Sequence, residues 1–140
     1  MMHRRRALSL ALAMCCGCTA VAQAQNIYPN KPVKIVIAFT AGGTTDMLGR
    51  LVAQQLTEKL KQPFVIENKS GAGGNLGSEM VVRAPADGYT LLINSVGPIA
   101  INSTLYEKLP FNPLTDLVPI VQIADGPNVL VVHPSRSEEH

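Results

Sequence analysis

Three short glycine-bearing stretches hold the residues best placed to do chemistry. The first, Gly42-Gly43-Thr44-Thr45-Asp46, stands directly before an amphipathic run. At a helix start the first backbone N–H groups lack acceptors and the macrodipole is positive, so an anion is favoured there, and glycines put no Cβ in its way. The same residues also read as helix-start chemistry alone, with Thr44 or Thr45 as the cap, Asp46 complementing the dipole and the glycines making the turn. The second stretch, Ser70-Gly71-Ala72-Gly73-Gly74-Asn75-Leu76-Gly77, offers a further set of exposed main-chain donors. The third, Asn94-Ser95-Val96-Gly97-Pro98, adds an amide and a hydroxyl, with Asn102 a turn further on.

Other chemistry finds little footing. A dinucleotide-binding turn would need glycine at position 76, where Leu76 stands, and no Gly-Lys-Ser/Thr occurs to cradle a nucleoside triphosphate. Beyond the first 24 residues the histidines are His133 and His140, neither in a glycine stretch, so a hydrolase triad lacks its base and a histidine metal site its ligands. Asp46, Asp87 and Asp125 fall in unrelated turns and do not pair. No catalytic residue, metal or cofactor is expected.

The elements that must position these stretches alternate. Val33 to Phe39 is a β-branched run ending in a glycine turn, and Phe64 to Glu67 and Tyr89 to Ile93 are two more strands. From Thr45 the apolar spacing changes to threes and fours at Leu48, Leu51, Val52, Leu56 and Leu60, which predicts a helix ended near Gln62-Pro63. A second helix runs from the glycine stretch to about Ala84, Pro85-Ala86-Asp87-Gly88 is a turn, and a short helix contains Ile101, Leu105 and Tyr106. Val118 to Ala124 and Val129 to His133 read as two further strands. The order is that of an α/β fold with a largely parallel sheet and flanking helices. Ligands of such sheets bind where strand ends enter loops, and all three stretches lie there.

The chain has 140 residues, and Met1 to Ala24 has the basic, apolar and small-residue order of a secretory signal peptide with cleavage after Ala24. Cleavage removes Arg4, Arg5 and Arg6, so 12 basic residues less these three stand against 10 acidic ones and the net charge falls from +2 to −1. A near-neutral surface without a Lys/Arg run argues against nucleic acid as a partner. All three cysteines lie in the leader, so packing and not disulfides must stabilise the rest. A lipid anchor at Cys18 is disfavoured, because Cys15 stands where leucine is expected.

Taken in order, several blocks carry a family resemblance. They are Tyr28-Pro29-Asn30-Lys31-Pro32-Val33-Lys34-Ile35-Val36, Gly42-Gly43-Thr44-Thr45-Asp46, Glu67 to Gly77, Asp87-Gly88-Tyr89-Thr90-Leu91-Leu92, Tyr106 to Phe111 and Pro127 to Pro134. Together they resemble the N-terminal part of the substrate-binding proteins of tripartite tricarboxylate transporters, the Bug family. The resemblance implies the first lobe of a type II periplasmic clamshell, here apparently truncated because family members are substantially longer. It implies residues 25–135 as that lobe, 136–140 as a disordered tail, and a periplasmic location. The implied partners are a small organic carboxylate, held non-covalently by backbone amides, and the membrane subunits of the transporter. Carried over by position, the ligand-binding residues are Gly42, Gly43, Thr44 and Asp46, then Gly71, Gly73, Gly74 and Asn75, then Ser95 and Gly97. A lone lobe offers half a site, so weak carboxylate binding is expected of this chain. Two alternatives stand beside this reading: a ligand-presenting partner of a sensor protein, and a secreted nucleotide- or phosphate-using α/β enzyme.

Overall fold

The computed structural model describes residues 27–127. The chain divides at Asn30/Lys31 into two compact units, and every element below belongs to the second. The expected signal peptide, the strand at Val129 to His133 and the tail lie outside the described residues.

Three strands, β1 (Val33–Ile37), β2 (Phe64–Asn68) and β3 (Thr90–Ile93), form a parallel sheet in the order β2-β1-β3. Val33 pairs with Phe64 and Ile37 with Asn68 on one side, and Lys34 with Thr90 and Ile37 with Ile93 on the other. As the middle strand of a parallel sheet β1 is covered on both faces, which explains its near-continuous β-branched run. Val33, Ile35, Val36 and Ile37 are all buried. Val33, Ile35 and Ile37 pack with Ala53, Phe64 and Ile93, and Phe39, Leu56, Ile66, Tyr89 and Leu91 border the cluster. Lys34, the exposed member, reaches across to Glu67 at 2.8 Å.

Helix α1 (Thr44–Leu60) connects β1 to β2. Its fully buried face is Asp46, Gly49 and Ala53, whereas Leu51 and Leu60 of the expected apolar stripe are exposed. The helix lies so close to the sheet that a Cβ on Gly49 would stand 2.6 Å from Ile37 Cδ1, so small residues take the contact and the leucines flank it. Gly43 is the N-cap, with extended backbone and no side-chain capping bond, so neither Thr44 nor Thr45 caps the helix as the sequence suggests. The first-turn carboxylate of Asp46 reaches back past the cap to accept the N–H of Gly42, and leaves the first amides of the helix without a side-chain acceptor. The other end closes on Lys61 in the left-handed conformation, one residue short of the expected stop, its N–H bonded to Thr57 O at 3.0 Å. The Thr57 hydroxyl donates to Ala53 O at 2.7 Å and accepts from Phe64 N at 3.0 Å, joining the helix end to β2.

After β2, a single 3-10 turn (Ala72–Gly74) leads into α2 (Asn75–Val82). After β3 the backbone winds into a π turn (Gly97–Ile101) continued by α3 (Asn102–Leu105), so the last helical stretch starts earlier than Ile101 and stops before Tyr106. Gly88 takes φ 80° in the turn before β3, as its place after Asp87 predicts.

The strand expected at Val118 to Ala124 is absent; the segment has no regular structure, and Val118, Ile120 and Val121 are at least three-quarters exposed. β-branched composition supplies propensity, but a strand needs a ladder partner, and none of the described strands pairs with this run. Pro119 further removes one donor from it.

Candidate functional site

The sheet order places the topological switch point between β1 and β3, and all three glycine stretches leave the carboxyl ends of the strands. Direct contacts bring them together. A Cβ on Gly77 would stand 2.8 Å from both Ala38 Cα and Lys69 O, and one on Gly74 would stand 2.5 Å from Pro98 Cγ and 3.3 Å from Phe39 Cζ. Loop 1 (residues 38–43), loop 2 (69–74) and loop 3 (94–96) therefore touch at one end of the sheet, and glycine is what permits the approach.

Loop 1 is held by an ion-pair network centred on Asp46, which is only 3% exposed. Its Oδ2 accepts from Gly42 N and from Arg50 Nε, both at 2.9 Å, and its Oδ1 accepts from Asn68 Nδ2 at 2.9 Å. The Asn68 amide also donates to Phe39 O at 3.1 Å, and its oxygen accepts from Arg50 Nη2 at 3.2 Å. The first intrahelical bond runs from Met47 N to Gly43 O. The amides of Thr44, Thr45 and Asp46, at the positive end of α1, thus have no intrahelical acceptor, and Gly42, Gly43 and Thr44 are exposed.

Loop 2 is differently arranged. The N–H groups of Gly74 and Leu76 turn back to Gly71 O, and that of Asn75 to Ala72 O. Gly71, Gly73 and Gly74 have φ of 133°, 63° and 92°, conformations that favour glycine. The Asn75 side chain is buried; its oxygen accepts from Asn102 Nδ2 at 2.6 Å, and the same Nδ2 donates to Gly73 O at 3.3 Å. Loop 3 joins through Asn94, whose Nδ2 donates to the fully buried Ser78 hydroxyl at 2.7 Å while that hydroxyl donates to Gly74 O at 2.9 Å. Ser95 and Gly97 are half-buried beside it, and the Ser95 N–H bonds to Asn94 Oδ1 at 2.9 Å.

The ten residues singled out from the sequence thus fall into two roles. Gly42, Gly43 and Thr44 line an exposed rim, and Ser95 and Gly97 lie at the end of β3. The Asp46 carboxylate and the Asn75 side-chain oxygen are taken up by internal bonds, and Gly71, Gly73 and Gly74 shape the turn. Sequence reasoning gave no role to Arg50, Asn68 or Ser78. The i, i+4 spacing of Asp46 and Arg50 is a signal for the first, but Asn68 and Ser78 become visible only once the strands are in register.

Electrostatics agree with that division. The Arg50 hydrogen bond, then the Gly42 and Asn68 donors, hold the Asp46 carboxyl down from 3.8 to about 2, against the opposing effect of burial. A depressed folded-state value means the ionised carboxylate stabilises the fold in full above 3.8 and loses that contribution as pH falls toward 2. Acid titration followed by circular dichroism is therefore expected to show a stability loss between pH 4 and 2 that is shallower in Asp46→Asn than in the parent chain. Equal slopes would contradict it.

Among the described residues, no group of three or more His, Cys, Asp or Glu could hold a metal ion, and no helix is long and apolar enough to cross a membrane. An open groove along α1 and β2, lined by Arg50, Ala53, Thr57, Phe64 and Ile66 among others, contains none of the loop glycines.

A small parallel sheet with flanking helices, whose glycine-bearing loops converge at the strand ends, defines a lobe of the periplasmic binding protein-like class. Comparison with known proteins assigns the family. The model of the tripartite tricarboxylate transporter family receptor, TctC, matches residues 48–139, and the chain belongs to this family. Its members are receptors and not enzymes. Protein BugT of Bordetella pertussis is 41% identical over 108 residues, which is 76% of this chain and 33% of that protein. A protein of the ttuE-ttuC' intergenic region of Agrobacterium vitis is 41% identical over 111 residues, 79% of this chain and 32% of its own length. The chain thus spans about a third of the length of these curated relatives. Among solved structures, a Rhodopseudomonas palustris protein with adipate matches at TM-score 0.61 and 45% identity, over 63% of this chain and 29% of that one. MatC of Rhodopseudomonas palustris, with bound malate, matches at TM-score 0.61 and 37% identity, over 64% and 30%. The family resemblance of the sequence and its N-terminal extent agree with these findings.

Proposed function

We propose that the three loops form one wall of a site for a small organic carboxylate, recognised without covalent chemistry by main-chain amides. The observation that carries this is the set of uncommitted amides at Thr44 and Thr45, at the start of a 17-residue helix and beside the exposed rim of Gly42, Gly43 and Thr44. The adjacent Arg50 guanidinium is already engaged by Asp46 and Asn68, so recognition rests on N–H groups and the helix dipole. The adipate and malate held by the two structural neighbours support the ligand class. In this reading the protein works in the periplasm, reached through the leader, and hands its ligand to the membrane subunits of a tripartite tricarboxylate-type transporter. Delivery to a sensor protein would use the same site.

The exposed rim leaves a bound carboxylate partly in water, and the remaining wall is assigned to the portion of the relatives that these residues do not span. The 140-residue chain is accordingly expected to bind malate or adipate more weakly than about micromolar. Calorimetry with malate, adipate and the corresponding neutral diamides tests this. Weak heats for the diacids and none for the diamides are expected. Equal response to the diamides would remove the carboxylate from the proposal, and a response to ATP in place of the diacids would favour the enzyme alternative.

A further inference from the structure

We propose that Asp46 is a positioning residue and not a ligand contact: its carboxylate fixes loop 1 by binding the Gly42 N–H, and this leaves the next amides uncommitted for the ligand. The inference rests on the carboxylate-site reading above and deepens it. The carboxylate is almost wholly buried, and each of its oxygens already accepts at least one bond at 2.9 Å. A second carboxylate brought against it would meet like charge, so direct contact with an anionic ligand is unfavourable. What Asp46 does instead is visible in its partners. Gly42, with φ 85° and exposed, has no Cβ to restrain it and no neighbour within 4 Å of where one would stand, so its conformation is set by its bond to Asp46.

Asn68 extends the same restraint. It ties the Asp46 carboxylate to Phe39 O, the first residue beyond Ala38, so both ends of loop 1 are fastened to the end of β2 by one side chain. Arg50 closes the ring by bonding both Asp46 and Asn68. A half-exposed guanidinium beside an anion site would otherwise be a competing, poorly directed partner for the ligand. In the ring it is neutralised and turned to holding the loop.

The test uses the full 140-residue chain labelled with 15N, as the parent, Asp46→Asn and Asn68→Ala, with malate as the probe. Asparagine keeps the size of the side chain but cannot present acceptors to both Asn68 and the Gly42/Arg50 donors. In Asp46→Asn the Gly42 amide is expected to exchange with solvent about tenfold faster or more, while Ile35 and Ile37 in the core strand are unchanged. Malate is expected to bind the folded variant about tenfold more weakly. A contact that merely stabilised the fold would lower the melting temperature and leave both the Gly42 exchange and the affinity of the folded fraction where they were, and that result would overturn the proposal. Should Asp46→Asn not fold, Asn68→Ala decides: a rise in Gly42 exchange supports the ring and no rise refutes it. If the parent's loop 1 amides ignore malate, the carboxylate reading fails, whereas the exchange comparison still decides the role of Asp46.

Discussion

Gly74→Ala is expected to destabilise the fold by about 2–5 kcal/mol, the sum of two costs. An L-residue held at φ 92° loses about 1–2 kcal/mol to contact between its Cβ and the backbone. Overpacking adds about 1–3 kcal/mol, because the new methyl would stand 2.5 Å from Pro98 Cγ and 3.3 Å from Asn94 Oδ1 and Phe39 Cζ. Pro98 is fully buried and its ring is stiff, so it cannot step aside cheaply. The variant forces loop 2 away from loops 1 and 3 together, so any response to malate is expected to vanish with the stability. Gly97→Ala is the control: its nearest neighbour would be Ser95 Oγ at 3.7 Å, and its change is expected to stay within about 0.5 kcal/mol. Urea denaturation of both proteins measures the difference, and similar midpoints would show that the loops do not depend on the closeness at Gly74.

The second large effect concerns Gly77→Ala, set against Gly49→Ala. Both glycines are helical and both would gain about 1 kcal/mol of helix propensity from alanine. They differ in what the new methyl meets. At Gly77 it meets Ala38 Cα and Lys69 O at 2.8 Å, which are main-chain atoms of the site itself. At Gly49 it meets the side-chain ends of Ile37 at 2.6 Å and Ile93 at 3.3 Å, which yield more readily than main-chain atoms. Gly77→Ala is therefore expected to lose up to about 2 kcal/mol net, an overpacking cost of about 1–3 kcal/mol less the propensity gain, and to lift α2 from β1, while Gly49→Ala is expected to remain within about 1 kcal/mol of the parent. Melting temperatures in that order would support close helix-to-strand packing as the reason for glycine at 77. The reverse order would refute it.

Much of this architecture is written in local patterns. Short apolar runs between turn signals marked all three strands, the change to a period of three and four marked α1, and glycine after each strand marked the loops. Where reading failed, a long-range contact decided. Leu51 and Leu60 fit an apolar stripe, yet the approach of α1 to Ile37 hands the buried face to Gly49 and Ala53. Thr44 and Thr45 are good caps by type, yet no side chain caps α1, and Asp46 reaches back to Gly42 instead. Val118 to Ala124 has strand composition and finds no ladder. The site was legible as a set of loops and not as a division of labour, because Asp46–Asn68, Ser78–Asn94 and Asn75–Asn102 are pairings that only the strand register and helix placement create.

The uncommitted amides at the start of α1 can be watched one by one. In 15N-correlated spectra of the 140-residue chain titrated with malate, the resonances of Thr44, Thr45 and Asp46 are expected to move together along one saturating curve, while the Arg50 side-chain signal and the core of β1 stay still. Movement confined to Lys and Arg side chains, or no movement at malate concentrations where the neutral diamide is also silent, would contradict a main-chain carboxylate cradle.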